Sequence, residues 1–142
     1  MIRRAAVSLA AALAVAGCVE PPAPQPVAEP ECRVTEVVDG DTLALSCKGR
    51  PAVMARLIGV DAPEIATAKC PGEYARGVEA RQRLQALVDA GPVTAVRYGG
   101  TVSDGRRQVS LEVAGQDLGR GMLASGLAKP FDGKDYRDWC SS

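Results

Sequence analysis

Histidine is absent from all 142 residues. This excludes imidazole acid–base catalysis, serine–histidine triads and the common His-containing zinc sites. Any catalysis must use carboxylates, Arg, Lys, Tyr, Cys or a bound metal. Net charge is absent too, with 17 Lys/Arg against 17 Asp/Glu. From Cys32 onward the counts are 15 and 14. That balance argues against coating nucleic acid through bulk positive charge, and leaves room for a local basic pocket. There is no Cys-x-x-Cys spacing, which places a cysteine metal site well behind disulfides. No internal repeat is visible, and the one marked apolar run is too short to span a membrane.

That run, Ala5 to Ala16, follows the basic pair Arg3 and Arg4. The pattern reads as a secretory signal over residues 1–17. It ends in Val15-Ala16-Gly17-Cys18, which resembles the lipobox of bacterial lipoproteins. The resemblance implies cleavage before Cys18 and a lipid on Cys18; an ordinary signal peptide with an incidental Cys is the plainer alternative. Residues 18–31 then carry Pro21, Pro22, Pro24, Pro26 and Pro30 without apolar periodicity. This is the composition of an extended polyproline-like tether. At about 3.1 Å per residue it reaches up to roughly 40 Å from a membrane. The folded domain is expected over residues 32–142, exported into a bacterial cell envelope, periplasmic or surface-facing, as a monomer.

With Cys18 set aside, Cys32, Cys47, Cys70 and Cys140 remain. An even number in a small exported domain points to two disulfides, for which three connectivities exist. A hairpin turning on Asp39-Gly40 pairs residue 38 with 41 and, by the same count, 32 with 47. Cys32–Cys47 is then a cross-strand bridge, leaving Cys70–Cys140. In the chain-entropy model the shorter loop contributes about 3 kcal/mol and the longer one somewhat more.

Residues 33–38 and 42–47 flank the Asp-Gly turn as a hairpin, and residues 52–58 continue as a third strand. Residues 71–90 read as a helix: Pro71 suits its first turn, and Tyr74, Val78, Leu84, Leu87 and Val88 recur at helical spacing. Gly91-Pro92 ends it. Short strands follow at 93–97 and 108–113. Asp117 can cap a second helix running to Ser125, with Gly126 as its stop. Residues 127–131 return toward the sheet. Three strands, a helix, two strands and a helix make a small α+β domain.

The charges that this scaffold does not explain lie in two motifs. One is the turn Asp39-Gly40-Asp41-Thr42; the other is the strand end Arg56-Leu57-Ile58-Gly59-Val60-Asp61-Ala62-Pro63-Glu64. Arg56 sits among Met54, Ala55, Leu57 and Ile58, where a guanidinium is costly unless paired. Asp41, Asp61 and Glu64 are its available partners, and a structural Arg56–Glu64 ion pair is the bland reading. If the second and third strands pair, Asp41 and Asp61 converge at one sheet end. Pro63 biases Ala62 toward an extended conformation that turns its carbonyl outward. Two carboxylates, a carbonyl and waters form an oxygen-only site suited to Ca²⁺ or Mg²⁺. Without a cation the clustered carboxylates raise each other's pKa. Glu64 lies close enough to act on a water near the metal.

These motifs resemble the staphylococcal nuclease (thermonuclease) family. Asp104-Gly105-Arg106, Gly115-Gln116-Asp117-Leu118 and Ala124-Ser125-Gly126-Leu127-Ala128 match its second half in order. The resemblance covers roughly Cys32 to Phe131. It implies an OB-like five-stranded β-barrel with two or three helices packed on it. It further implies that Asp41, Asp61 and the Ala62 carbonyl bind one Ca²⁺, with Asp39 and Thr42 in support. Glu64 then activates or orients the attacking water, and Arg56 and Arg106 hold the scissile phosphate. The implied reaction is calcium-dependent phosphodiester hydrolysis in DNA or RNA, leaving 3′-phosphates. Arg107 competes with Arg106 for its role; Arg106 directly follows Gly105, as the family's Gly-Arg does.

The chain departs from the family at three places. Asp104 stands where a Tyr is frequent, and an acid there is expected to repel phosphate. Ala62 replaces a Thr of which only the carbonyl is needed. The chain ends soon after Phe131, and a Cys70–Cys140 bridge would tie down residues 132–139 in place of a long terminal helix. Two other functions compete with an active nuclease: a catalytically silent OB-type nucleic-acid-binding module and a structural envelope lipoprotein.

Overall fold

The computed structural model describes residues 31–141. The signal segment, Cys18 and residues 18–30 of the tether lie outside the described residues. Strands β1 (Cys32–Val37), β2 (Thr42–Cys47) and β3 (Val53–Leu57) form an antiparallel meander. After the short β4 (Val60–Asp61) comes helix α1 (Pro71–Val88), then β5 (Val93–Thr101) and β6 (Arg107–Val113). The two-residue β7 (Gln116–Asp117) leads into α2 (Leu118–Ser125), and β8 (Lys129–Pro130) follows. The main sheet runs β1-β2-β3-β6-β5, with β3 parallel to β6 and the other neighbours antiparallel. The fold is α+β: a curled, mixed five-strand half-barrel with two helices.

Alternation places Leu43 and Leu45 of β2, Ala55 and Leu57 of β3, and Val109, Leu111 and Val113 of β6 in one core. Ala80 and Leu84 of α1 and Leu118 and Met122 of α2 cover it. The buried face of α1 is Glu73, Gly77, Ala80 and Leu84. Tyr74, expected on that face, is 52% exposed. Gly77 and Ala80 lie inward beside Leu84 instead, because the loop before the helix packs tightly on Gly77. Asp117 caps α2 by accepting the Arg120 N–H, and Gly126 ends it at φ 74°. Strand β5 runs past Gly99-Gly100 to Thr101, further than the expected end at residue 97, by shifting register between Tyr98 and Thr101. Residues 129–130 pair with β4, outside the main sheet.

Cys32 faces Cys47 across the first hairpin and is bonded to it; Cys70 is bonded to Cys140. The hairpin is not the two-residue turn that the simple count assumes. Val38 N–H donates to the Thr42 carbonyl at 2.9 Å, so Asp39, Gly40 and Asp41 form a three-residue connection. A register shift between Val34 and Glu36 compensates, and the cysteines still meet.

Candidate metal and phosphate site

Three chain segments converge at one end of β2 and β3. The turn brings Asp39 and Asp41, and β3 brings Arg56 opposite Thr42. Asp61 ends β4, whose partner β8 opens the C-terminal segment. Backbone bonds fix this meeting: Leu57 N–H donates to the Asp41 carbonyl at 2.8 Å, and Phe131 N–H to the Gly59 carbonyl at 3.0 Å.

Arg56 lies at the centre and is 2% exposed. Its strand neighbours on the same face, Met54 and Ile58, are 42% and 45% exposed. The burial of Arg56 therefore comes from what covers it, not from the strand. Arg56 Nη2 is 2.9 Å from Asp41 Oδ2 and 3.1 Å from Asp61 Oδ1. Among the described residues its ion pairs run to these two acids and not to Glu64. The guanidinium also lies 5.4 Å from the Phe131 ring centre and 5.3 Å from that of Tyr136. Its Nε and Nη1 are buried without a partner.

Each acid is held in its own way. Asp41 Oδ1 accepts the Thr42 hydroxyl at 2.8 Å, and Oδ2 accepts the Ala62 N–H at 3.0 Å. Burial pushes the Asp41 pKa up and Asp61 adds to it; Arg56 and the two hydrogen bonds pull the other way. Asp39 accepts the Ile65 N–H at 3.3 Å, and burial raises its pKa as well. Asp61 Oδ2 accepts the Arg137 N–H at 3.1 Å and the Trp139 indole N–H at 3.2 Å. Glu64 is half-buried, and its nearest polar partner is the Thr67 hydroxyl at 3.4 Å. Burial raises the Glu64 pKa first, and the charges of Asp41 and Asp39 raise it further.

Arg106 arrives from the loop before β6 and donates from Nη1 to the Thr42 hydroxyl at 2.8 Å. Thr42 thus links Arg106 to Asp41 through one oxygen. Arg107 points elsewhere, to Thr101 and the Tyr98 ring. The Asp104 carboxylate meets Arg106 Nη2 at 2.6 Å and the Arg106 N–H at 3.1 Å. Burial is the largest single influence on the Arg106 pKa and lowers it, but the Asp104 bond together with the charges of Asp104, Asp41 and Glu64 turns the net direction upward. Arg106 Nε is buried without a partner. A cavity of about 250 Å³ is lined by Asp61, Ala62, Glu64, Arg106, Tyr136 and Trp139 among others; Asp39, Asp41 and Arg56 do not line it.

The residues expected at the site from sequence, Asp39, Asp41, Thr42, Arg56, Asp61, Ala62, Glu64 and Arg106, all lie in this one region. Sequence reasoning missed Glu73, Tyr136 and Trp139. Glu73 is buried at the start of α1 and accepts the Lys69 N–H at 2.7 Å and the Glu64 N–H at 3.4 Å, which shapes the loop carrying Glu64. Its place four residues after Lys69 and three after Cys70, in a helix's first turn, was the available signal.

Among the described residues no three His, Cys, Asp or Glu side chains form a ready metal cage. A cation here would take two carboxylates, a carbonyl and water. Four acids, Asp39, Asp41, Asp61 and Glu64, face two arginines, Arg56 and Arg106. That excess of negative charge, with oxygen donors only, fits a hard divalent cation. No protein-family model matches the chain, and no curated protein matches it. Among the described residues no helix is long and apolar enough to cross a membrane.

Proposed function

We propose that this chain is an exported, calcium-dependent phosphodiesterase acting on DNA or RNA. The reading takes the half-barrel as an OB-like five-stranded barrel. One observation carries it: Arg106, whose buried Nε has no hydrogen-bond partner, lines a carboxylate-lined cavity, and Arg56, whose Nε and Nη1 likewise lack one, is bonded to Asp61 of that lining. Buried donors are rarely left unmade, and planar guanidinium forks match phosphate oxygens.

Asp41, Asp61 and the Ala62 carbonyl would hold Ca²⁺, with Asp39 and Thr42 in support. When bound, the cation neutralises charge on the phosphate and polarises water. Arg56 and Arg106 hold the non-bridging oxygens of the phosphodiester and stabilise the charge that grows there during attack. Glu64 takes the proton of the attacking water; its raised pKa makes it a better base than an ordinary carboxylate. The water oxygen bonds to phosphorus, the bond to the 5′ oxygen breaks, and that oxygen takes a proton from solvent, to which Glu64 afterwards returns the proton it accepted. The products are a 3′-phosphate and a 5′-hydroxyl.

The two disulfides suit an oxidising compartment. With the lipobox-like Cys18, they support export and a lipid anchor holding a monomeric domain at the envelope. The test is cleavage of single-stranded DNA by the exported protein in calcium, then in chelator. Cleavage that needs calcium and is lost in Glu64→Ala supports the proposal. Tight nucleic-acid binding without cleavage would favour the silent binding module. Neither binding nor cleavage would favour the structural lipoprotein.

A further inference from the structure

The segment after β8 is fastened at both ends. Phe131 is bonded to the Gly59 carbonyl, and Cys140 is bonded to Cys70, the residue that caps α1. Between these anchors Tyr136 stacks on Phe131 at 4.9 Å. Trp139 is 6% exposed, its carbonyl accepts Arg76 Nη1 at 2.6 Å, and Lys129 Nζ lies 4.6 Å from its ring. So many restraints on ten residues outside the core fix one thing that the site needs, the Asp61 carboxylate. Its Oδ1 accepts Arg56, and its Oδ2 accepts both Trp139 Nε1 and the Arg137 N–H. A carboxylate has about four lone-pair positions, so three are used and the rotation of the group is set.

We propose that Trp139 is a positioning residue for Asp61, and that the Cys70–Cys140 bridge holds it there, so that cation affinity depends on a strap made by residues 131–140. The proposal rests on the reading of Asp61 as a calcium ligand. Partners of this kind fix a ligand's orientation, and their loss typically costs roughly 10- to 100-fold in metal affinity. The covalent tie keeps the indole at high effective concentration beside Asp61. Reduction by a dithiol consumes its two thiols, makes its disulfide, and delivers two electrons and two protons to Cys70 and Cys140. The strap is then held only by its weaker contacts.

The experiment measures calcium affinity by calorimetry on the whole exported protein, its Trp139→Phe variant and its Cys70→Ser/Cys140→Ser variant. Trp139→Phe keeps a ring and deletes the donor. The expected result is roughly 10- to 100-fold weaker calcium binding with the melting temperature nearly unchanged. Its kcat is expected to fall at limiting calcium and to recover at saturating calcium, with KM for nucleic acid unchanged. The cysteine variant is expected to bind calcium more weakly and to red-shift the emission of Trp139, the only tryptophan in the chain. Wild-type calcium affinity in both variants overturns the strap proposal alone. A wild-type protein that binds no calcium overturns the strap and the metal-site reading together. Calcium binding that Trp139→Phe weakens, without any cleavage of nucleic acid, leaves the strap standing and removes the nuclease reading.

Discussion

Gly40 of the acidic turn lies directly against Ala80 of α1: a Cβ placed on Gly40 would come within 2.5 Å of the Ala80 Cβ. It would also come within 2.8 Å of the Ala62 Cβ. The glycine between the two aspartates is therefore needed for close approach. It is not among the residues with positive φ, so backbone freedom is not the reason. Gly77, one helical turn earlier, does the same for the other motif, since its Cβ would lie 2.8 Å from the Glu64 carbonyl. Helix α1 is the surface against which both acidic segments are pressed into register.

Gly40→Ala should consequently act as an overpacking change, with a cost of about 1–3 kcal/mol in urea denaturation and a loss of activity. Ala80→Gly carries its own helix penalty of about 1 kcal/mol. In that background the Gly40→Ala cost should shrink but not vanish, because the nearer of the two clashing methyls is gone while that of Ala62 remains. Additive effects of the two changes would show that the contact does not govern the turn.

Glu64 should show function and stability pulling apart. Its folded pKa lies above the ordinary 4.5, owing to burial and to Asp41 and Asp39. The folded form thus binds its proton more tightly than the unfolded chain. The metal-free fold loses stability as pH rises from the unfolded value through the folded one, and carries the full cost above that window. Gln has no charge to desolvate. In chelator near pH 7, Glu64→Gln should melt no lower than wild type, and any advantage should vanish by about pH 4. Cleavage should fall by about 10²- to 10⁴-fold, the usual contribution of a general base. A lower melting temperature for the variant at neutral pH would contradict the charge crowding.

The hairpin, both helix starts and the Cys32–Cys47 bridge were legible from local signals: an Asp-Gly turn, Pro71 and Asp117 at helix starts, Gly126 at a stop; Cys70–Cys140 then followed by elimination. The resemblance to a family motif singled out Asp41, Arg56, Asp61 and Arg106, and these do lie together at one end of the sheet. Their partners were not legible. Sequence offered Glu64 as the bland partner of Arg56, but pairing β2 with β3 sets Thr42 opposite Arg56 and brings Asp41 to it instead. Nor does any spacing reveal that Trp139 meets an acid 78 positions away. Of the apolar residues that mark α1, Leu84, Leu87 and Val88 pack on the core and Tyr74 does not, because the small Gly77 and Ala80, with little hydrophobic signal, occupy the tightest contacts.

Asp104 carries the sharpest departure from the family pattern, and its geometry redefines the effect expected of it. The acid does not stand alone to repel phosphate; it occupies Arg106 Nη2. Its own pKa is lowered, chiefly by its side-chain bond to Arg106. Its contribution to stability is present above the ordinary 3.8 and is lost as pH falls through the lower folded value. Half-exposed bridges of this kind contribute at most about 1 kcal/mol. Asp104→Asn should therefore leave the melting temperature almost unchanged and lower KM for nucleic acid several-fold, with kcat little altered. An unchanged KM would mean that Arg106 does not meet the substrate.

Arg56 supplies the charge that now sits between Asp41 and Asp61, and a cation bound to those acids would share that task. Removing one partner of a buried ion pair typically costs about 3–5 kcal/mol, because the charge left behind is uncompensated. Arg56→Met leaves two such carboxylates, so in chelator it should be destabilised by at least that range in urea denaturation. Arg56→Lys should fall between it and wild type, because it keeps the charge on a shorter side chain than the one that carries Nη2 to both acids. Calcium adds a second prediction. A ligand stabilises a fold in proportion to how much better it binds the folded form. With the guanidinium gone, Asp41 and Asp61 should attract the cation more strongly, so calcium should raise the melting temperature of Arg56→Met by more than that of wild type. Equal shifts in the two proteins would show that calcium binds away from these carboxylates, and would remove Asp41 and Asp61 as its ligands.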